Sequence, residues 1–224
     1  MRLAIVVPTL NEDDALRRHL PRALEAADEV VVSDGGSSDG TVEVARRLGA
    51  RVVSGPPGRG GQLNRGAAAA GAADVLLFLH ADTTLPARGG AAVREAIAKG
   101  ANGGAFFLRF DVDRPAQRLG AWLINRRTRF LRLPLGDQAQ FVTREAFEKL
   151  GRFRDWPILE DLDFAVRLRR LGAMKLIEEP VTTAARRFLE LGAARTVATN
   201  WLIWALYFLG VSPHRLARLY RRNR

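Results

Sequence analysis

Residues 31–40, VVSDGGSSDG, join a β-branched run to a loop of small residues that opens a helix. The valines are typical of a buried strand, and Ser38 or Asp39 can cap the helix that follows. Gly35 lets the backbone approach another group closely. Capping accounts for Ser38 and Asp39 but not for Asp34, which lies too early in the loop. The stretch therefore predicts a strand, loop and helix with a carboxylate at the end of the strand.

The same alternation recurs through the first hundred residues. Strands that alternate with helices favour a mostly parallel sheet covered by helices on both faces. The predicted strands here are 3–7, 29–33, 51–54 and 75–79, and the predicted helices are 13–27, 39–48 and 62–71. The second half is less regular, with strands predicted at 103–110, 138–142 and 173–179, and helices at 115–131 and 160–171. The tail is predicted to be mostly helical, with a break near Ser212-Pro213.

The bulk composition bounds the class of protein. The chain has 224 residues, 47% of them hydrophobic, which is enough for one sizeable core. Cysteine is absent, so there is no disulfide framework or cysteine metal site, and a cytoplasmic location is expected. The net charge is +11, and no acidic residue follows Glu190, whereas six arginines do. This basic end indicates either an anionic partner or a solvated, solubilising tail. The short apolar run before Pro8 is not a signal peptide.

In open α/β sheets, ligands bind outside the carboxyl ends of the strands, so these ends are the candidate site. The first strand ends in VPTLNE, 7–12, where Pro8 fixes the turn and Thr9 and Glu12 are polar. A dinucleotide-binding fold would show G-x-G-x-x-G here, so the glycine-free stretch argues against NAD or FAD. As an alternative, Thr9 or Asn11 merely caps the first helix.

The third and fourth predicted strands lead to further candidates. After the third lies GPPGRGGQLNRG, 55–66, where Arg59 can clamp a phosphate and Gln62 begins a helix. The alternative is a flexible loop with an incidental arginine. The fourth ends in LLFLHADTT, 76–84, which brings His80 and Asp82 to the edge of the sheet. Asp82 can bind a hard divalent cation that bridges a diphosphate, or it can simply cap the next helix.

Together these strand ends resemble glycosyltransferase family 2, which has the GT-A fold. The likeness rests on VVPTLNE (6–12), VVSDGGSSDGT (31–41), GRGGQLNRGAAAA (58–70) and LLFLHADT (76–83). It continues through GDQAQFV (136–142), ILEDLDFAVRLRRLG (158–172) and AARRF (184–188). The resemblance implies a Rossmann-like α/β fold with a mostly parallel central sheet, helices on both faces and a helical C-terminal tail.

The resemblance also implies roles for individual residues. Asp34 would recognise a uracil or guanine base, Arg59 would contact base or phosphate, and Asp82 would ligate Mn²⁺ or Mg²⁺ on the diphosphate. Asp161 matches the catalytic base that takes the acceptor's proton. The further substrate-binding residues that it implies are Pro8, Thr9, Glu12, Gly35, Gln62, His80, Ala81, Asp137, Gln138, Glu160, Arg186 and Arg187. Asp137 and Gln138 would border the acceptor, and Arg186 or Arg187 would hold the leaving diphosphate.

Two departures from the family pattern matter. His80 stands where the D-x-D motif has its first acid, so a metal would depend mainly on Asp82 and on the substrate's own phosphates. The Q-x-x-R-W pattern of processive synthases is absent, which predicts transfer of a single sugar. Asp161 and Glu160 also begin a predicted helix, where the helix dipole alone favours acids.

The resulting prediction is a single catalytic domain, 1–190, with a nucleotide-sugar half at 1–100, an acceptor half at 101–190 and a basic amphipathic tail at 191–224. Its function would be inverting transfer of one sugar from a UDP or GDP sugar to a hydroxyl acceptor, which is either soluble or lipid-linked. Nucleic acid is not expected as a partner of this enzyme. The alternatives are a nucleotidyltransferase, whose glycine-rich loop after the first strand is missing here, and a non-catalytic basic protein bound to membrane or nucleic acid.

Two apolar segments bear on the localisation. The stretch 200–211 is rich in aromatic residues but too short to span a bilayer, and 121–133 has similar character. Tryptophans followed by arginines suit a peripheral enzyme at the inner face of the membrane. The alternative is that both segments pack on the domain or on a second subunit of a homodimer.

Overall fold

The structure is a computed structural model that describes residues 1–185 and 193–222. Its strands are β1 (Leu3–Thr9), β2 (Glu29–Asp34), β3 (Arg51–Ser54), β4 (Val75–Phe78), β5 (Thr83–Thr84), β6 (Gly103–Phe110), β7 (Phe141–Thr143) and β8 (Met174–Thr183). Its helices are α1 (Asp13–Ala26), α2 (Thr41–Arg47), α3 (Arg59–Ala69), α4 (Gly89–Ala98), α5 (Pro115–Leu131), α6 (Arg144–Lys149), α7 (Glu160–Leu171), α8 (Ala193–Phe208) and α9 (Pro213–Arg222), with a 3₁₀ turn at Gly136–Gln138.

The strands form one sheet in the order β3-β2-β1-β4-β7-β6-β8-β5. The first four strands in this order are parallel, as are β6 and β8. The short β7 runs antiparallel between β4 and β6, and β5 pairs antiparallel with β8. A mostly parallel sheet with helices on both faces confirms the predicted fold class. The carboxyl ends of β1, β2 and β4 consequently lie side by side at one edge.

Both faces of the sheet are buried, which explains why its strands are continuous apolar runs. In β1, Ile5 and Val7 face the core that α1 and α4 cover, whereas Ala4 and Val6 face the core beneath α3 and α7. Phe78 lies in the second core, with its ring 4.7 Å from that of Phe153. The sheet is therefore a rigid support for the loops that leave its edge.

The helical tail packs on the domain through a third apolar cluster. Ile203 and Trp204 of α8 and Leu216 of α9 are buried against Leu162 and Val166 of α7. Among the described residues, no helix is both long enough and apolar enough to cross a membrane.

The structure differs from the sequence prediction at short or glycine-rich elements. Helix α3 begins at Arg59 rather than at 62, although glycine disfavours helix. Glycine is needed inside this helix because a Cβ at Gly60 would lie 2.2 Å from the Arg154 carbonyl oxygen. The predicted strand 138–142 is a 3₁₀ turn followed by the shorter β7. The prediction missed β5 and α6, which have only two and six residues.

Candidate active site

The candidate site lies where β1, β2 and β4 end. Thr9 at the end of β1 is in register with Asp34 at the end of β2, and Val6 of β1 is in register with Phe78 of β4. The chain leaving β4 carries His80 and Asp82. Asp34 and Asp82 therefore follow two parallel strands that flank β1, at the same edge of the sheet. This is the juxtaposition that the order of strand ends predicted.

Asp34 is buried and organises the loop that follows β2. Its carboxylate accepts hydrogen bonds from the Gly36 N–H at 2.9 Å, the Ser37 N–H at 3.1 Å and the Ser37 hydroxyl at 2.5 Å. Its backbone carbonyl accepts a bond from Arg65 at 3.2 Å. These contacts give Asp34 a structural role that the sequence argument did not foresee. Recognition of a base by this carboxylate stays a prediction.

Gln62 ties the strand ends together. Its side-chain amide donates to the carbonyl of Thr9 at 2.8 Å and to that of Ser33 at 2.9 Å, and it is 5% exposed. Because both amide hydrogens are used by the backbone, Gln62 positions the rim and does not reach out to a ligand. Gly35 packs against the same amide, since a Cβ at Gly35 would lie 3.0 Å from Gln62 Nε2.

Arg59 joins the two halves of the chain at this edge. Its guanidinium donates to Glu160 through Nε and to Asp161 Oδ2 through Nη2, the latter at 3.2 Å. The Arg59 side chain is 39% exposed, whereas the Glu160 side chain is 1% exposed. The arginine therefore neutralises a buried acidic pair from the open side of the site, where an anionic ligand can reach it.

Glu160 and Asp161 are the first two residues of α7. Leu159, the residue before the helix, has φ of 68°, a left-handed conformation that is uncommon for leucine. Burial would raise the pKa of Asp161, but Arg59 and the N–H groups of Gly136 and Leu162 outweigh burial and lower it. The pKa of Glu160 is raised, mainly by burial and further by Asp161. Asp161 is thus the carboxylate that stays ionised.

His80 is a half-buried neighbour of this pair and is uncharged at neutral pH. Burial, and then the positive charge of Arg59, lower the pKa of His80 to about 4. Its Nε2 lies 3.5 Å from Arg59 Nη1. A Cβ at Gly136 would lie 2.7 Å from His80 Nε2 and 3.2 Å from Asp161 Oδ2. Glycine at 136 consequently leaves room for the imidazole and the carboxylate beside its Cα, while its N–H donates to Asp161.

Asp137 and Gln138, both predicted to border the acceptor, differ in exposure. Gln138 is completely buried, and its amide oxygen accepts from the Thr128 hydroxyl at 2.9 Å. The structure corrects the prediction for Gln138, because it is a structural residue with no surface to offer a substrate. Asp137 is half-buried, and burial raises its pKa to about 6. Arg127, which the sequence argument missed, opposes this rise.

The site fits a divalent cation that takes few protein ligands. Asp82 is half-buried, and within residues 1–185 and 193–222 its carboxylate has one hydrogen bond, from Thr83 at 3.5 Å, and no ion pair. Asp137 Oδ1 is buried without a hydrogen-bond partner in the described structure. In that same part of the chain, no group of three or more His, Cys, Asp or Glu side chains could hold a metal alone. Hard cations such as Mg²⁺ are often held by one or two carboxylates plus substrate phosphates.

The remaining predicted residues need separate mention. Arg186 and Arg187 lie outside the described residues. Pro8 and Ala81 contribute backbone at the ends of β1 and β4, and Glu12 precedes α1, where its N–H donates to the Thr41 hydroxyl at 2.8 Å. The pairing of Arg59 with Glu160 and Asp161 was not predictable, because it joins positions a hundred residues apart that carry no spacing signal.

Comparison with known proteins assigns the family. The model of glycosyl transferase family 2 matches residues 4–151, which is more than half of the chain. The chain therefore belongs to glycosyl transferase family 2, as its strand-end motifs predicted. Among curated proteins, no sequence match was found.

Solved structures share the fold at low identity. Residues 1–349 of TarS from S. aureus align with a TM-score of 0.66 and 15% identity, over 88% of this chain and 64% of that one. The mannosyltransferase PcManGT from Pyrobaculum calidifontis, solved with GDP-Man and Mn²⁺, aligns with a TM-score of 0.64 and 21% identity, over 95% of this chain and 65% of that one. Glucosyl-3-phosphoglycerate synthase from Mycobacterium tuberculosis, solved with Mn²⁺, UDP and glucosyl-3-phosphoglycerate, aligns with a TM-score of 0.62 and 22% identity, over 90% of this chain and 78% of that one. The chain thus spans slightly less than two thirds of the first two structures.

Proposed function

We propose that this protein is an inverting glycosyltransferase that moves one sugar from a nucleoside-diphosphate sugar to an acceptor hydroxyl. The observation that carries the proposal is the cluster of Arg59, Glu160 and Asp161 beside His80, at the edge where the strands end. It combines an ionised buried carboxylate with a cation that an anionic donor can reach. Family membership and the GT-A neighbours solved with GDP-Man or UDP support the donor class.

Asp161 is the proposed base. As the acceptor oxygen attacks the anomeric carbon, its proton must leave, and an ionised carboxylate can accept it. The bond from the anomeric carbon to the diphosphate oxygen breaks as the new bond forms on the opposite face, which inverts the configuration. The Gly136 N–H donates to Asp161 Oδ2 at 2.9 Å and the Leu162 N–H donates to Oδ1 at 2.8 Å, so the carboxylate is oriented before a substrate arrives.

Arg59 has a second role in this proposal. While it is paired with Asp161 it lowers the pKa of that carboxyl, and a carboxylate held in this way is a weak base. A donor diphosphate is a stronger competitor for a guanidinium than a single carboxylate, because it offers several charged oxygens. Donor binding would therefore draw Arg59 towards the phosphates and make Asp161 more basic when the acceptor is present.

Asp82 would hold a Mn²⁺ or Mg²⁺ ion at the diphosphate, with Asp137 nearby as a second carboxylate. The bound ion would neutralise charge on the departing nucleoside diphosphate. Asp34, Pro8 and Thr9 would line the nucleoside pocket at the ends of β1 and β2. In this arrangement 1–100 supplies the donor side and 101–190 supplies the acceptor side, in a cytoplasmic enzyme.

Asp161→Asn tests the proposal even though the acceptor is not known. Water can take the place of the acceptor, and the enzyme then hydrolyses the donor slowly. We expect Asp161→Asn to lower the hydrolysis rate by about 10²–10⁴-fold while the donor dissociation constant changes little. Glu160→Gln should reduce the rate less, since Glu160 is fully buried behind Arg59. The measurement is release of nucleoside diphosphate by wild type and both variants.

Asp163→Asn is the matched control, since Asp163 lies in the same first helical turn but pairs with Arg167 at 2.6 Å, away from the site. If acids at the start of α7 served only the helix dipole, Asp161→Asn and Asp163→Asn would hydrolyse donor equally well. If Asp161→Asn hydrolyses the donor at the wild-type rate, the assignment of Asp161 as the base is refuted.

A further inference from the structure

Large apolar side chains are exposed on two neighbouring helices. In the described part of the chain, nine of the twelve exposed large apolar residues lie on α5, on α8 or directly after α8. Scattered single residues of this kind are ordinary, but such a concentration marks an interaction surface. We call it the α5/α8 surface and define it by Trp122, Leu123, Phe130, Trp201, Phe208 and Leu209.

The two helices with exposed apolar faces are also packed on the domain through other, buried residues. Helix α5 buries Ala121 and Thr128 and turns Trp122, 54% exposed, to solvent. Helix α8 buries Ile203 and Trp204 and turns Trp201, 56% exposed, outward. Each helix thus has one face in the core and a second apolar face without a described partner. The Arg127 guanidinium lies 4.7 Å from the centre of the Trp204 ring, which joins the two helices.

The charges around this surface are mostly positive, although Arg118 and Arg129 of α5 pair with the exposed Asp113 and Glu178. The sequence has no acidic residue between Asp113 and Asp137, and none after Glu190. Arg126 lies over the rings of both Trp122 and Phe130, at 5.3 and 5.1 Å from their centres. Arg132, Arg215 and Arg218 are also exposed. Aromatic rings interleaved with arginines suit the interface of a bilayer, where rings lie at headgroup depth and guanidinium groups meet lipid phosphates.

We propose that the α5/α8 surface docks on an anionic lipid bilayer. Arg126 and the other arginines around this surface suit anionic lipid headgroups. Charge complementarity therefore favours a membrane over a second copy of this chain, which is as basic in this region as the first. The docking does not depend on the glycosyltransferase activity.

One consequence does rest on the proposed function. Arg127 contacts Trp204 on one side and donates to Gln138 at 3.3 Å on the other, beside Asp137. The surface therefore adjoins the acceptor side of the site, and docking would present Asp161 to an acceptor hydroxyl held at the membrane. A lipid-linked acceptor is the substrate class that such a geometry would serve.

The first experiment is co-sedimentation of the full chain with vesicles of phosphatidylcholine, alone or with added phosphatidylglycerol. We expect binding that requires the anionic lipid and weakens as salt is raised. Lipids brominated in the acyl chain should quench tryptophan fluorescence, because two of the four tryptophans, Trp122 and Trp201, lie on the exposed surface. Absence of binding to anionic vesicles at low salt would overturn the proposal.

Matched variants locate the surface. Leu123→Ser should weaken vesicle binding by roughly fivefold, whereas Leu10→Ser, with 48% exposure against 47% for Leu123, should leave it unchanged. Arg126→Gln with Arg132→Gln should weaken binding by about tenfold or more, and the control pair Arg46→Gln with Arg47→Gln on α2 should not. Equal losses in test and control variants would contradict the assignment.

Further measurements distinguish a membrane from other occupants of the surface, and membrane docking from the proposed enzymatic function. A stable dimer without vesicles that Leu123→Ser dissociates would show that a second copy covers the surface and would overturn membrane docking. Stronger binding of single-stranded RNA than of anionic vesicles would overturn it in favour of nucleic acid. Leu123→Ser should hydrolyse donor like wild type in solution, so loss of vesicle binding with intact hydrolysis supports docking. Vesicle binding without any hydrolysis in wild type would instead count against the proposed function alone.

Discussion

Arg59 is the residue on which the two halves of the candidate site depend. Glu160 and Asp161 are adjacent, buried carboxylates, and two like charges this close are tolerated only because a guanidinium bridges them. Without the Arg59 guanidinium beside them, Glu160 and Asp161 would share a proton. Asp161 would then be a poorer candidate for an ionised base. The electrostatics of the site thus follow from one contact between α3 and α7.

Arg59→Gln should move the acidic limb of the pH profile of donor hydrolysis to higher pH. Removing the guanidinium removes the largest influence that lowers the pKa of Asp161, so burial is opposed mainly by the Gly136 and Leu162 N–H groups and the pKa rises. Asp161 would then be protonated at a pH where it is ionised in wild type. The measurement is kcat/KM for donor hydrolysis, which reports the free enzyme in which Arg59 is paired with Asp161, across the acidic range for wild type, Arg59→Gln and Arg59→Lys.

Arg59→Lys provides the control, because lysine restores the charge but not the two-pronged donor geometry. We expect its acidic limb to return towards that of wild type while donor binding stays weakened. An acidic limb that is identical in all three proteins would show that Arg59 does not control the base.

At the scale of elements, the start of α3 depends on a close approach between backbones. Gly60→Ala should lower the free energy of unfolding by about 1–3 kcal/mol, because its Cβ would meet the Arg154 carbonyl oxygen at 2.2 Å and the backbone must move. Gly61→Ala is the matched control, since its Cβ meets Asp155 Oδ1 at an ordinary 3.5 Å. Alanine is also the better helix former, so Gly61→Ala should be neutral or stabilising. Urea unfolding of the three proteins measures the difference, and equal stabilities would contradict the packing described here.

The elements also show what the sequence could and could not predict. Long apolar strands such as β1 and β6 were placed correctly, because burial on both faces leaves an unbroken signal. The two-residue β5 has no such signal, since its pairing with β8 depends on a partner a hundred residues away. Glycines in 58–61 indicated a loop, and only the tertiary contact with 154–155 shows why glycine stands inside a helix there.

The same limit applies to the candidate site. The order of strand ends placed Asp34 and Asp82 at one edge, since the carboxyl ends of parallel strands must lie together. Local sequence could not show that Gln138 is buried or that Gln62 serves the backbone. It also could not show which arginine of NRRTRF, 125–130, turns inward, although the structure shows that Arg127 does. These facts depend on packing between distant segments.

At the scale of the whole molecule, the sheet edge, the α3–α7 bridge and the α5/α8 surface form a continuous arrangement. The sheet brings the donor side together, α7 delivers the proposed base, and α5 connects that site to the exposed apolar face through Arg127. The described part of the tail packs on α7 by Ile203, Trp204 and Leu216, so α8 and α9 belong to the packed body of the domain. A scaffold that bound only through its tail would not require this arrangement.

The most direct test is thermal unfolding of wild type and Asp82→Asn with UDP, GDP and their sugars, each with and without Mn²⁺. We expect one nucleotide class to stabilise wild type only when Mn²⁺ is present. At ten times the dissociation constant this is about 1.4 kcal/mol, or roughly 3–6 °C in Tm. Asp82→Asn should lose the part of the shift that depends on the metal. No stabilisation by any nucleotide, or a shift in Asp82→Asn equal to that of wild type, would contradict the account.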